Sequence, residues 1–457
     1  MECLTPRDAT GFWLSRRARN DLFLLYCFDD AGYSDDWLRA AVIERSARIP
    51  DLRLRIREHR FAYPDWEPSD FDDSQIVVHN LGEPLWTNVE AAVGQLLGDG
   101  LPAERYVWRL HLFRGIRQAP GGSGPAVVVV LQLSHALADG RRAAAIAREL
   151  LTGLGETGPD LGSSVDGSGS RRFGEIATEG AALLGLPFGL ARTVVRGFAA
   201  ARAGSEMERL AAAGEIPGPA PDFEPTLVNR GPAPARRSVR MIVGEQLRVP
   251  GHTVTVVALT AISVAMSGYL GGRGEPAERL GAQVSVAGRP PADPAGGPKT
   301  HPRNNYRDVT VDLAAAEPDL CRRAGHIARA LAERRARATH PLQSARDHVT
   351  AALPAPVLRR DLANFPLDSI PARISGHTVL SSVDRGPADL SIAGGAVRFT
   401  AGFPALGAVM HLTHGLHGLG RAVTVSIHAD PRVLPDVDEY AQLLRAALRD
   451  VADRLRG

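Results

Sequence analysis

The stretch AVVVVLQLSHALADGRRAAAIARELL, running from Ala126 to Leu151, decides how the rest of the chain is read. Its first part, Ala126 to Leu133, is β-branched and almost continuously apolar, the pattern of a strand buried on both faces. Ser134 to Gly140 interrupts the run, and Arg141 to Leu151 then spaces alanines, Ile146, Leu150 and Leu151 as a helix does. His135 thus stands where a buried strand ends, and Asp139 and Gly140 stand where a helix begins. Side chains on a loop between two rigid elements are well placed to act on a ligand in a crevice.

An imidazole titrates near neutrality and can take a proton from a hydroxyl or amine that attacks a carbonyl. For that work it must keep one tautomer and one orientation. A carboxylate such as Asp139 can enforce both, and Gly140 lets the backbone turn tightly. A plainer reading of the same residues makes His135 a polar strand-end residue, Asp139 the N-cap of the following helix and Gly140 a turn residue.

Ser134 to Gly140 resembles the HHxxxDG motif of the wax ester synthase/diacylglycerol acyltransferase family, within the wider chloramphenicol-acetyltransferase-like and condensation-domain acyltransferases. Other stretches follow the family's order. Leu4 to Ala9 (LTPRDA) is similar to its opening LSPLDA, Ile49 to Arg55 (IPDLRLR) to PxLRxR, and Pro64-Asp65-Trp66, Phe71-Asp72 and His79 to its PxW, FD and H. Arg105 to Trp108 (RYVW) falls where RPLW precedes the motif strand, Ser285 to Arg289 (SVAGR) resembles PVSLR, and Val379 to Val383 (VLSSV) resembles the strand that reads SNV. Three departures stand out. The first motif histidine is Ser134, the Asn-Asp pair expected in Val254 to Val257 is missing, and the Asn of SNV is Ser382.

The resemblance implies an α/β fold of two chloramphenicol-acetyltransferase-like lobes with mixed sheets and an active-site tunnel between them. On this reading residues 1–155 form the lobe carrying the motif, 156–234 a linker and helical crossover, and 235–457 the second lobe. It also implies acyl transfer from a thioester, most often acyl-CoA as co-substrate, to an acceptor alcohol. The product class would be wax esters or triacylglycerols, and no cofactor is called for. His135 would be the general base and Asp139 its support. Ser134, Gly140, Arg289 and Asn305 would lie against substrate, with Arg289 also able to pair with Asp139. Asn304 and Asn305 either line the site or form a turn. Two rivals stand beside this reading: a condensation-type enzyme joining a carrier-bound acyl group to an amine or alcohol, and a non-catalytic member that binds a ligand.

Composition bounds the rest. The 457 residues are 44% hydrophobic, enough to bury sizeable cores and to favour two domains. A net charge of +2 gives no field that would argue for nucleic acid. Of the 53 basic residues only Lys299 is lysine, which nearly removes lysine chemistry. Cys3, Cys27 and Cys321 show neither metal-ligand spacing nor a disulfide framework, as suits a reducing cytoplasm. Phosphate-loop, nucleophile-elbow and zinc-helix motifs are absent from the sequence.

Arg16, Arg17, Arg19 and Asp21 interrupt the early sequence, so no signal peptide is expected. Val254 to Leu270 is apolar but diluted by Thr255, Thr260, Ser263, Ser267 and Gly268, and reads as a buried helix. Arg171 to Ala203 is basic and apolar. It either rests peripherally on a membrane or lipid droplet or packs across the joint between lobes. Leu320 to Arg337 carries Arg322, Arg323, Arg329, Arg334, Arg335 and Arg337 against the single Glu333, and meets either anionic groups or solvent. His111, on the strand from Tyr106 to Phe113, reads as a structural histidine.

Overall fold

The computed structural model describes residues 2–154, 193–288 and 303–457, apart from 233, 245 and 368. The chain opens with β1 (Glu2–Cys3), α1 (Pro6–Ser15), β2 (Leu22–Asp29), α2 (Asp35–Ala47), β3 (Leu54–Arg57), β4 (Asp65–Pro68) and β5 (Ile76–His79). Then come α3 (Trp86–Leu96), β6 (Trp108–Ile116), β7 (Ala126–Leu133) and α4 (Gly140–Leu151), and further on the helical run α5 (193–212). The second half holds β8 (Ser238–Gly244), α6 (Val254–Gly271), β9 (Gly281–Ala287), β10 (Tyr306–Asp312), α7 (Leu320–Ala338), α8 (Gln343–Thr350) and α9 (Ala355–Asn364). It closes with β11 (Thr378–Asp384), β12 (Ser391–Ile392), β13 (Gly395–Gly402), β14 (Leu412–Leu419), β15 (Ala422–Ala429) and α10 (Val437–Arg456).

β7 spans the residues the valine run predicts and is buried throughout. It runs antiparallel between β2 and β6, with Leu133 opposite both Leu22 and Trp108. Alternation sends its side chains into two cores. Val127, Val129, Leu131 and Leu133 pack with Phe12, Ile146 and Leu150. Ala126, Val128 and Val130 pack instead with Val89, Val93 and Met241. Elements on both faces explain why an antiparallel strand lacks polar alternation.

Two six-stranded mixed sheets form the lobes, in the orders β12-β13-β2-β7-β6-β5 and β10-β9-β11-β14-β15-β8, beside a small sheet β1-β4-β3. β5 runs parallel to β6, and β11 runs parallel to both β9 and β14. The chain halves do not map cleanly onto the lobes, because β13 pairs with β2 and so completes the first sheet from the second half. Leu24↔Gly402 and Tyr26↔Thr400 are among the matched pairs.

α6 is long and apolar enough to cross a membrane by length and composition, yet 67% of it is buried inside the fold. It is apolar all round, as the core helix of a large domain is. Its polar groups bond internally: Thr253 caps it at Val256 N, Thr260 Oγ1 donates to Val256 O, and Ser263 Oγ donates to Leu313 O.

Candidate active site

β7 delivers His135 to the seam between the lobes. Ser134 N donates to Val107 O (2.9 Å), and Leu137 N closes a turn on Ser134 O (2.9 Å). Asp139 then caps α4, its Oδ1 accepting from Arg141 N (3.1 Å) and Arg142 N (3.0 Å). α1 packs directly beneath this loop. A Cβ on Gly11 would sit 3.4 Å from Ala136 N and the His135 carbonyl, so the helix lies in close contact with this loop.

The imidazole is held from the other half of the chain. Its Nδ1 lies 3.0 Å from Asn304 Oδ1. Asn304 Nδ2 donates to His135 O (2.7 Å) and to Asp8 Oδ1 (2.9 Å), two groups that only accept in this geometry. That fixes the amide orientation and leaves Oδ1 as an acceptor toward the ring. Nδ1 must therefore carry the proton. Nε2 is left with its lone pair, and no described residue hydrogen-bonds it. Burial lowers the imidazole's pKa; the hydrogen bonds and the charges of Asp139 and Asp308 pull it upward without reversing that shift. The group is thus a neutral base at pH 7.

Asp8 is the anchor of this arrangement. It is 1% exposed. Its carboxylate accepts from Thr5 Oγ1 (2.7 Å), Arg303 N (3.3 Å) and Asn304 N (3.2 Å) besides the Asn304 amide. Thr5 in turn caps α1 through Asp8 N. One short segment, Arg303 to Asn305, is therefore stitched onto the opposite lobe. Arg303 also donates to Asp51 Oδ1 (2.7 Å) and lies over the Trp66 ring at 4.6 Å. Arg142 reaches the same Asp51 through Nε (3.0 Å) and Nη2 (2.9 Å). Burial alone would raise the Asp51 pKa, but bonds from Arg142 and Arg303 bring it below the usual range.

Asp139 forms no hydrogen bond with the imidazole ring. Besides capping α4, its Oδ2 accepts from Asn305 N (2.9 Å), while its own N donates to Arg303 O (3.2 Å). It clamps the two lobes and acts on His135 through charge and loop geometry. Ser134 is buried beside the loop. A Cβ on Gly140 would lie 2.9 Å from Val383 Cγ2, so this glycine sets how closely α4 meets β11. Asn305 meets Asp139 through its backbone, and its side chain occupies the space over Gly288. Arg289, and with it the expected pair to Asp139, lies outside the described residues.

Asp8 entered the sequence reading only as part of the opening motif, and Asn304 only as a lining or turn residue. Their hydrogen bond joins positions 296 apart in sequence. The Thr-Pro start of a helix with an aspartate in its first turn was the one local signal, and it does not reveal the partner. Two positions where the resemblance led to expect amide or acid side chains meet as hydroxyls, with Thr255 Oγ1 and Ser382 Oγ 3.3 Å apart. The Tyr306 ring is tilted toward that of His135 with centroids 5.7 Å apart, and the Arg7 guanidinium lies 5.2 Å from the centre of the Tyr306 ring.

The other sequence-level candidates fall away from the site. His111 bonds His79 Nε2 (2.9 Å) and Gln132 Oε1 (3.2 Å) inside the first lobe. On α7, Arg323 donates to Glu317 O and Ala315 O, Arg334 to Gly218 O and Arg337 to Pro217 O, and Arg322 pairs with Glu317 Oε1, so four of the six arginines of that run are bound to the protein itself. Of Arg171 to Ala203 only the part from residue 193 is described. There Val194, Val195 and Phe198 are exposed, while Thr193 and Arg196 donate to Ala352 O and His348 O. Among the described residues no cluster of His, Cys, Asp and Glu could hold a metal ion.

No family model matches the chain, and no curated protein matches its sequence. Solved structures do. The wax ester synthase/diacylglycerol acyltransferase from Marinobacter aquaeolei VT8 is 17% identical with a TM-score of 0.63, covering 98% of each chain. A mutant starter condensation domain of rhizomide synthetase, in complex with C8-CoA and Leu-SNAC, is 14% identical with a TM-score of 0.55, covering 100% of this chain and 94% of that one. The first condensation domain of the calcium-dependent antibiotic synthetase, in complex with a substrate analogue, is 15% identical with a TM-score of 0.55 over 100% and 96% of the two chains.

Proposed function

The chain has the two-lobed fold of wax ester synthases and condensation domains, and from that premise we propose that it is an acyltransferase with His135 as general base. One observation carries the reading. Asn304, itself fixed by Asp8 and by His135 O, holds the imidazole with the proton on Nδ1 and the lone pair on Nε2. Nε2 takes the proton of an acceptor hydroxyl as its oxygen attacks a thioester carbonyl. The carbon–sulfur bond then breaks, and the proton passes to the departing thiolate. No covalent bond to the enzyme forms. The donor is an acyl-CoA or a carrier-bound acyl thioester, and the first acceptors to consider are long-chain alcohols and diacylglycerol.

The test is thiol release from acyl-CoAs of several lengths, with an alcohol, diacylglycerol or an amine as acceptor, in wild type and His135→Ala. Acceptor-dependent release that falls by about 10² to 10⁴ in the variant, with an unchanged melting curve, supports the reading. Equal release by both proteins overturns it.

A further inference from the structure

The seam between the lobes contains a second constellation that base catalysis does not use. A small cavity of about 60 Å³ is lined by Gly140 and Ala143 of α4, Ser381 of β11, Phe403, Arg385 and His417. It therefore adjoins the first turn of the helix that Asp139 caps. Most of its wall is apolar, contributed also by β2 and the end of β13. Its two ionisable groups are almost fully buried, Arg385 at 3% and His417 at 4% exposure.

Arg385 is poorly compensated. Its Nη1 donates to Thr400 Oγ1 and to Ala401 O (2.8 Å), and its guanidinium lies 5.3 Å from the centre of the Tyr26 ring. Among the described residues no carboxylate forms an ion pair with it. Nε has no hydrogen-bond partner, and neither does Nδ1 of His417. The two side chains converge: a Cβ on Gly402 would meet Arg385 Nη2 at 2.6 Å and His417 Nε2 at 2.8 Å. The two other buried arginines make more contacts, although Arg303 Nε is also unpartnered and Arg323, like Arg385, bonds only neutral acceptors. Arg303 meets Asp51, and Arg323 spreads its donors over Glu317 O, Ala315 O and Ser263 Oγ. A buried guanidinium without a countercharge is costly unless something supplies one, and guanidinium geometry matches a carboxylate bidentately. Burial and the nearby charge of Arg385 keep His417 neutral, so its ring can donate one further hydrogen bond.

We infer that this cavity is a subsite for a carboxylate carried by one of the substrates, held by Arg385 and His417. The inference rests on the proposed transfer at His135 and extends it: one substrate would carry a carboxylate, such as a hydroxy or amino acid, beside the alcohols considered above. The apolar wall suits a short hydrocarbon segment next to that group, and the small volume limits its size.

Binding is measured on the full chain by calorimetry and thermal unfolding, with sodium acetate against acetamide and sodium chloride at matched ionic strength. Acetate should bind and stabilise, acetamide and chloride should not, and Arg385→Gln should weaken acetate at least tenfold. Ala143→Leu fills the cavity from α4 while keeping both polar groups, and should abolish acetate binding even if the arginine variant fails to fold. Acetate acting no better than acetamide on wild type overturns the inference, as does full acetate binding by Arg385→Gln. In the transfer assay, Arg385→Gln should raise KM for a hydroxy acid at least tenfold and leave that for its methyl ester unchanged. Acetate binding without any transfer would uphold the subsite and sink the acyltransferase reading. Transfer without acetate binding would do the opposite.

Discussion

Asn304 Oδ1 lies 3.0 Å from Nδ1 of His135, although the two residues are 169 positions apart and belong to different lobes. The imidazole is thus positioned from across the seam by an amide that a buried carboxylate, Asp8, holds in turn. The nearby motif aspartate serves the backbone instead.

Removing that amide should damage turnover more than binding. Asn304→Ala is expected to lower kcat by about 10²-fold, the scale set by small misplacements of a reacting group. KM should change little. Steady-state kinetics beside acyl-CoA binding measure the split, and a variant that loses only KM would show that Asn304 binds substrate rather than positioning the base.

The direction of the His135 shift sets a pH profile. Its pKa lies below 6.5, so the base form is already dominant at neutrality. kcat/KM should be flat from pH 7 to pH 8 and fall as acid protonates Nε2, with the midpoint below 6.5. A limb centred above neutrality would assign the base to another group.

Gly140 and Val383 should couple. The new methyl of Gly140→Ala would lie 2.9 Å from Val383 Cγ2, and is expected to destabilise by about 1–3 kcal/mol through overpacking. Val383→Ala should recover part of that loss in the double variant, read by denaturant unfolding. Additive losses would mean that α4 and β11 do not press on each other.

Glu90 offers a test of stability against pH. It is 6% exposed and accepts from Met241 N (2.9 Å). Burial raises its pKa from 4.5 to about 7, with Arg240 and the Met241 amide opposing. The folded form binds the proton more tightly than the unfolded chain, so this contribution is full below pH 4.5 and is lost as pH rises through 7. Glu90→Gln should gain on wild type between pH 5 and pH 8, by on the order of 2 kcal/mol. Parallel melting curves for the two proteins across that range would refute the shift.

Much of the local structure was legible in the sequence. β7 and α4 begin and end within a residue of where the valine run, Asp139 and the alanine spacing put them, because apolar periodicity and capping are local. α6 read as buried because hydroxyls interrupt it, and those hydroxyls find partners inside the fold. What the sequence hid is pairing at a distance. No period links Asp8 to Asn304 or Arg385 to His417, and Asp139 has the same spacing to His135 whether it binds the ring or caps a helix. The direct support of the base was therefore assigned to the nearest carboxylate.

The pairing of β13 with β2 also bears on how the protein is made. With β13 in place, β2 is an interior strand; without it, β2 would be a sheet edge, and Leu24, Leu25, Tyr26, Cys27 and Phe28 would lose their neighbours. Such an edge is a template for association with other chains. A ribosome would have released most of the second half before residues 395–402 could close it. The amino-terminal half is thus a poor candidate for independent expression, and a nascent chain stalled before β13 is the species most exposed to aggregation.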